Sequence, residues 1–121
     1  SDVYKRQVIG ASPKSYQYSH MAVQKLKAAG HPVEAIGRSA FELDGVKVTD
    51  QKESFNEIDT VTMYLNPDRQ KEYEDYILTL HPKRIIFNPG AENPSFAEKA
   101  NKVGIETLEA CTLVMLGTGQ Y

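Results

Sequence analysis

The chain contains no tryptophan, a single cysteine and no block of like charge. One cysteine forms no internal disulfide, which excludes the stapled secreted scaffolds and makes a reducing, cytoplasmic compartment the expectation. No apolar stretch approaches the roughly 20 residues that cross a bilayer, and none has the flanks of a signal peptide. Acidic and basic residues nearly balance, 16 against 14, and are dispersed, so the composition recommends neither a nucleic-acid nor a membrane partner. The three histidines, His20, His31 and His81, are scattered without metal-ligand spacing, and no metal site is expected. At 121 residues the chain fills one hydrophobic core, which disfavours a conventional dehydrogenase with separate nucleotide and catalytic domains.

What is present is a repeated junction. Val8-Ile9 runs into Gly10-Ala11-Ser12-Pro13, Val61 to Tyr64 into Leu65-Asn66-Pro67, and Ile85-Ile86-Phe87 into Asn88-Pro89-Gly90. Each apolar run reads as a strand and each is followed by a helical pattern. In an open parallel sheet, ligands bind outside the carboxyl ends of the strands, where the strand order reverses. These loops are therefore expected to share one crevice.

The rest of the chain alternates in the same way. Tyr18, Met21, Ala22, Leu26 and Ala29 have helical spacing, which predicts a first helix over Tyr16 to Ala29 with Gly30 after it. Val33 to Ile36 reads as a strand, and Phe41 to Val48, with Asp44-Gly45 at its centre, as a small hairpin or a short edge strand. Thr60 to Tyr64 is the next strand. Asn66-Pro67 then supplies a cap and a first-turn proline for a helix carrying Tyr73, Ile77 and Leu80 on one face and stopped at His81-Pro82. Arg84 to Phe87 is a strand, Asn93-Pro94 opens another helix, Ile105 to Leu108 closes the strand set, and Cys111 to Leu116 makes a short final helix. The fold class is α/β, a Rossmann-like three-layer αβα domain with a parallel sheet of five or six strands. Residues 1–7 are atypical, because a central parallel strand is mostly apolar and this start is mostly polar. They read either as a polar strand start or as a non-native leader joined to a domain over 8–121.

The first loop lacks the later glycines of a dinucleotide fingerprint, keeping only Gly10-Ala11-Ser12. Gly10 permits a tight turn and close backbone approach, and Ser12 offers a hydroxyl and an amide near a helix start, where phosphate is favoured. A glycine turn also serves strand-to-helix geometry with no ligand. At the second strand end stand Gly37-Arg38, where a nicotinamide dinucleotide site would carry an acid for the ribose diol. A cation there suits a phosphorylated ribose, as in NADP or coenzyme A, and an exposed arginine with no ligand fits equally well.

Tyr64 either lines the crevice or packs in it, and Asn66 and Asn88 either bond a ligand or cap turns before proline. His20, near the start of the first helix, either approaches the phosphates or packs. Cys111 is either a reactive thiol near a helix start or a small buried hydrophobe.

The order Val8-Ile9-Gly10-Ala11-Ser12-Pro13, then Tyr18, Gly30-His31-Pro32-Val33, Asp59-Thr60-Val61, Ile85 to Asn93 with its Asn88-Pro89-Gly90, and Ala110-Cys111-Thr112 to Leu116, resembles the small single-domain CoA-binding proteins, bacterial relatives of the CoA-binding domain of succinyl-CoA synthetase. The resemblance runs from Val8 onward. It implies a Rossmann-like sheet with Gly10, Ala11, Ser12 and Pro13 as the phosphate turn, Tyr18 on the helix behind it, and the adenosine end of CoA toward Gly37-Arg38. Many relatives have Asn-Pro near Arg38, so this position departs from the pattern, as do His20 and the polar start.

The reading is a small module that binds coenzyme A or an acyl-CoA without catalysis of its own. Its site is expected at Gly10, Ala11, Ser12, Pro13, Tyr18, Gly37, Arg38, Tyr64 and Asn66, with the pantetheine arm passing Asn88, Pro89 and Gly90 toward Cys111. The alternative is a small NADP-dependent oxidoreductase or a regulatory nucleotide-binding fragment. A homodimer is compatible with either.

Overall fold

The structure is a computed structural model and describes residues 4–55 and 57–121. Its elements are β1 (Lys5–Ala11), α1 (Tyr18–Ala28), β2 (Val33–Gly37), β3 (Phe41–Leu43), β4 (Val46–Thr49), β5 (Ile58–Met63), α2 (Pro67–Gln70), α3 (Glu74–Leu80), β6 (Arg84–Phe87), α4 (Pro94–Lys102), β7 (Glu106–Glu109) and α5 (Thr112–Gly117). The strands form one sheet in the order β3-β4-β2-β1-β5-β6-β7. Every neighbouring pair is parallel except the β3–β4 hairpin.

The sheet has seven strands, and the expected count of five or six is corrected. The difference lies in Phe41 to Thr49. Asp44 and Gly45 both take positive φ, 50° and 81°, the pairing that lets a two-residue turn match strand twist. This turn lets β3 fold back on β4, so the segment contributes two strands, one of them antiparallel at the edge.

Alternation along β1 sets the layers. Val8 packs into a cluster with Val23 and Leu26 of α1, and Ile9 into one with Ile77 of α3 and Phe96 and Ala100 of α4. Helices therefore cover both faces of the sheet. The register slips between Ile9 and Ala11, at Gly10, so Ala11 returns to the same side as Val8.

β1 starts at Lys5, ahead of its apolar residues, and each of its polar side chains makes at least one polar contact, although the buried Gln7 Oε1 has no hydrogen-bond partner among the described residues. Lys5 Nζ lies 3.4 Å from Glu34 Oε1, Arg6 Nη2 lies 3.9 Å from Asp59 Oδ2, and buried Gln7 donates to the Tyr76 hydroxyl at 3.0 Å. Residues 1–3 of the atypical start lie outside the described residues.

The single helix expected from Pro67 to Leu80 is two helices. Gln70 is fully buried, and the Tyr73 amide bonds its carbonyl at 2.8 Å, a tight turn that re-aims the chain before α3. Among the described residues no helix is long and apolar enough to span a membrane.

Candidate functional site

The strand order reverses at β1, with β2 on one side and β5 on the other. Loops after β1, β2, β5 and β6 meet there around a crevice of about 910 Å³. That volume lies within the roughly 300–1,000 Å³ of small-molecule sites. Gly10, Ala11, Ser12, Pro13, Tyr18, Gly37, Arg38, Tyr64, Asn66, Pro89 and Gly90 all line it.

The floor is the turn after β1. Gly10 has φ of 100°, a conformation open to glycine and strained for other residues. Gly37 is required for a different reason: a Cβ there would strike the Ala11 carbonyl oxygen, so its absence lets β2 end directly against the turn. His20, buried on α1, contacts the Ser12 carbonyl oxygen through Nδ1 at 2.8 Å. A carbonyl only accepts, so Nδ1 carries the proton and donates. His20 thus packs and braces the loop. The Ser12 hydroxyl accepts from the Lys14 amide at 3.1 Å.

Behind the turn, α1 begins without a side-chain cap and without an acid in its first turn. Its first amides and dipole therefore favour an anion. The surrounding wall carries Lys14, Arg38 and Arg69 against one carboxylate, Glu72. The arrangement is a glycine turn and an uncapped helix start under an excess of positive charge.

Residues 5–117 match the family described as CoA binding domain. The chain belongs to that family. A solved structure of an uncharacterised protein is 39% identical over 100% of both chains, with a TM-score of 0.94. A hypothetical protein from Pyrococcus horikoshii OT3 is 21% identical, TM-score 0.85, over 94% of this chain and 82% of that one. A dinucleotide-forming acetyl-coenzyme A synthetase from Ca. Korarchaeum cryptofilum shares the fold at 16% identity and TM-score 0.74, over 90% of this chain and 26% of that one. No protein of curated function matches.

Two of the expected site residues do not line the crevice of this CoA-binding domain. Asn88 is buried, donating from Nδ2 to the Met63 carbonyl at 3.0 Å and accepting the Thr112 amide on Oδ1 at 2.8 Å. Its amide ties β5, β6 and the start of α5 together. Cys111 is half-buried at the N-cap position of α5, beside Tyr64 and outside the lining. The Tyr64 hydroxyl is enclosed near Thr112 and Cys111. Burial pushes its phenol well above the usual tyrosine range, the neighbouring thiol adds to this, and the Thr112 hydroxyl offsets part of it. Asn66 does line the crevice, and its Oδ1 also caps α2 by accepting the Arg69 amide at 3.0 Å.

The lining residues of the CoA-binding domain's crevice that sequence reasoning left out of the site include Lys14, Gln17, Ser19, Arg69, Glu72 and Tyr73. Lys14 had a signal, a cation directly after the Gly-x-Ser-Pro turn. Arg69 had one too, a cation in the first helical turn after the Asn66-Pro67 cap, whereas Glu72 and Tyr73 had none, because they stand at the break between α2 and α3.

Proposed function

We propose that the crevice binds coenzyme A or an acyl-CoA, and that the domain is a binding module without catalysis of its own. The observation that carries this reading is the uncapped start of α1 behind the Gly10–Ser12 turn, with Lys14 and Arg38 beside it. In this reading the turn and the α1 amides take the diphosphate, and Arg38 at the end of β2 takes the 3′-phosphate with its forked donors. Pro89, Gly90 and the Tyr64 ring border the path of the pantetheine arm.

A cation at the end of β2 also favours NADP over NAD, and this second reading separates cleanly by titration. The test is a thermal-shift series with CoA, acetyl-CoA, dephospho-CoA, NADP and NAD. A ligand at about 100 times its dissociation constant adds roughly 2.7 kcal/mol, a rise of several degrees. The expected result is a rise with CoA and acetyl-CoA that weakens with dephospho-CoA. A rise with NADP alone overturns the CoA reading in favour of the oxidoreductase.

A further inference from the structure

We propose that Arg69 is an anion-recognition residue of the crevice's second wall, pairing its guanidinium with the oxygens of an anionic group on the bound ligand. This rests on the CoA reading and extends it to a residue on the opposite side of the strand-order reversal from Arg38.

Three observations place it there. First, topology puts Arg38 after β2 and Arg69 after β5, so the two guanidinium groups stand on either side of the Gly10–Ser12 turn, and both line the crevice. Second, Arg69 has no acidic partner within 4.0 Å among the described residues. The acids of its own segment are engaged by lysines, Asp68 with Lys71 at 3.5 Å and Glu72 with Lys52 at 4.0 Å. The Arg69 guanidinium therefore borders the crevice without an ion pair among the described residues.

Third, its backbone is held on both sides. Asn66 Oδ1 accepts the Arg69 amide, and the neighbouring Gln70 side chain is wholly buried. Gln70 Nε2 donates to the carbonyls of Leu65 and Ala91, each at 2.7 Å, and its Oε1 accepts from Asn93 Nδ2 at 2.9 Å. An arginine mounted on a fixed turn loses less freedom when it closes on a ligand, and its planar fork suits paired oxygens. Those oxygens belong either to the ligand's diphosphate or to a carboxylate at the acyl end of an acidic acyl-CoA, and the two sources give different results.

The experiment is calorimetric titration of wild-type protein, Arg69→Gln and Arg69→Lys with CoA, malonyl-CoA and uncharged butyryl-CoA. Arg69 is exposed, so the unliganded thermal midpoint of Arg69→Gln is expected to match wild type. Loss of a charge-assisted pair is expected to weaken binding about tenfold or more. If the oxygens are the diphosphate's, Arg69→Gln weakens all three ligands alike. If they are an acyl carboxylate's, wild type prefers malonyl-CoA to butyryl-CoA and only malonyl-CoA loses affinity. Arg69→Lys restores part of either loss, as a point charge without the fork. Arg69→Gln within twofold of wild type for all three ligands overturns the role of Arg69 and leaves the CoA reading intact. Failure of wild type to bind any of them overturns both.

Discussion

Gly10 and Leu65 approach across the centre of the sheet so closely that a Cβ on Gly10 would stand 3.1 Å from Leu65 Cδ2 and 3.3 Å from the Leu65 amide nitrogen. Gly10 lies one residue before the end of β1 and Leu65 two residues after β5, the strands that meet where the order reverses. Gly10→Ala combines that crowding with a φ of 100° and is expected to cost about 2 kcal/mol. The measurement is urea denaturation, and a midpoint unchanged from wild type would show that the turn relaxes freely.

Gln70 links the same loop to the one after β6, through Leu65, Ala91 and Asn93. Gln70→Leu keeps the approximate volume and strands three buried polar groups, so a loss of roughly 3 kcal/mol is expected. CoA affinity should fall as well, because both loops border the crevice. A stable variant that binds normally would mean that water replaces the amide.

Asn66 and Asn88 separate in kind although both precede proline. Asn66→Ala removes one exposed cap and is expected to cost about 1 kcal/mol. Asn88→Ala removes two buried bonds and exposes the start of α5 to fraying, and about 2–3 kcal/mol is expected. Denaturation of the two variants side by side checks the ranking, and equal losses would contradict it.

Alkaline stability should depend on Tyr64 and Tyr121. Burial raises both phenols, in Tyr121 against the opposing pull of Arg84 and Arg6. An unfolded tyrosine ionises at about pH 10, whereas burial makes these two hold their protons to higher pH in the fold. Their contribution is complete below that pH and is lost as pH rises above it, because the unfolded chain then releases protons that the folded chain keeps. Urea midpoints from pH 8 to 11 should fall above pH 10, and Tyr64→Phe should flatten the fall. An unaltered slope in that variant would assign the loss elsewhere.

Cys111 lies outside the crevice lining, so its alkylation by iodoacetamide, read by mass spectrometry, is expected to run at the same rate with and without CoA. Several-fold protection by CoA would instead carry the ligand's thiol end beyond the crevice to the start of α5.

The sequence by itself determined the alternation of strands and helices, because continuous apolar runs and caps such as Asn66-Pro67 and Asn93-Pro94 are local signals. Asn93 indeed caps α4, accepting the Phe96 amide at 3.2 Å. It also determined that glycine turns and Arg38 stand at strand ends, and eleven of the expected site residues line one crevice. Tertiary structure alone decided the rest, since these features depend on contacts between distant segments. The bonds of Gln70 to Leu65, Ala91 and Asn93 accompany the break between α2 and α3, at which Glu72 and Tyr73 border the crevice. The Met63 carbonyl and the Thr112 amide draw Asn88 inward, although its sequence context matches that of Asn66. A side chain's residue type sets which bonds it can make, and only the packed neighbours settle which bonds it does make.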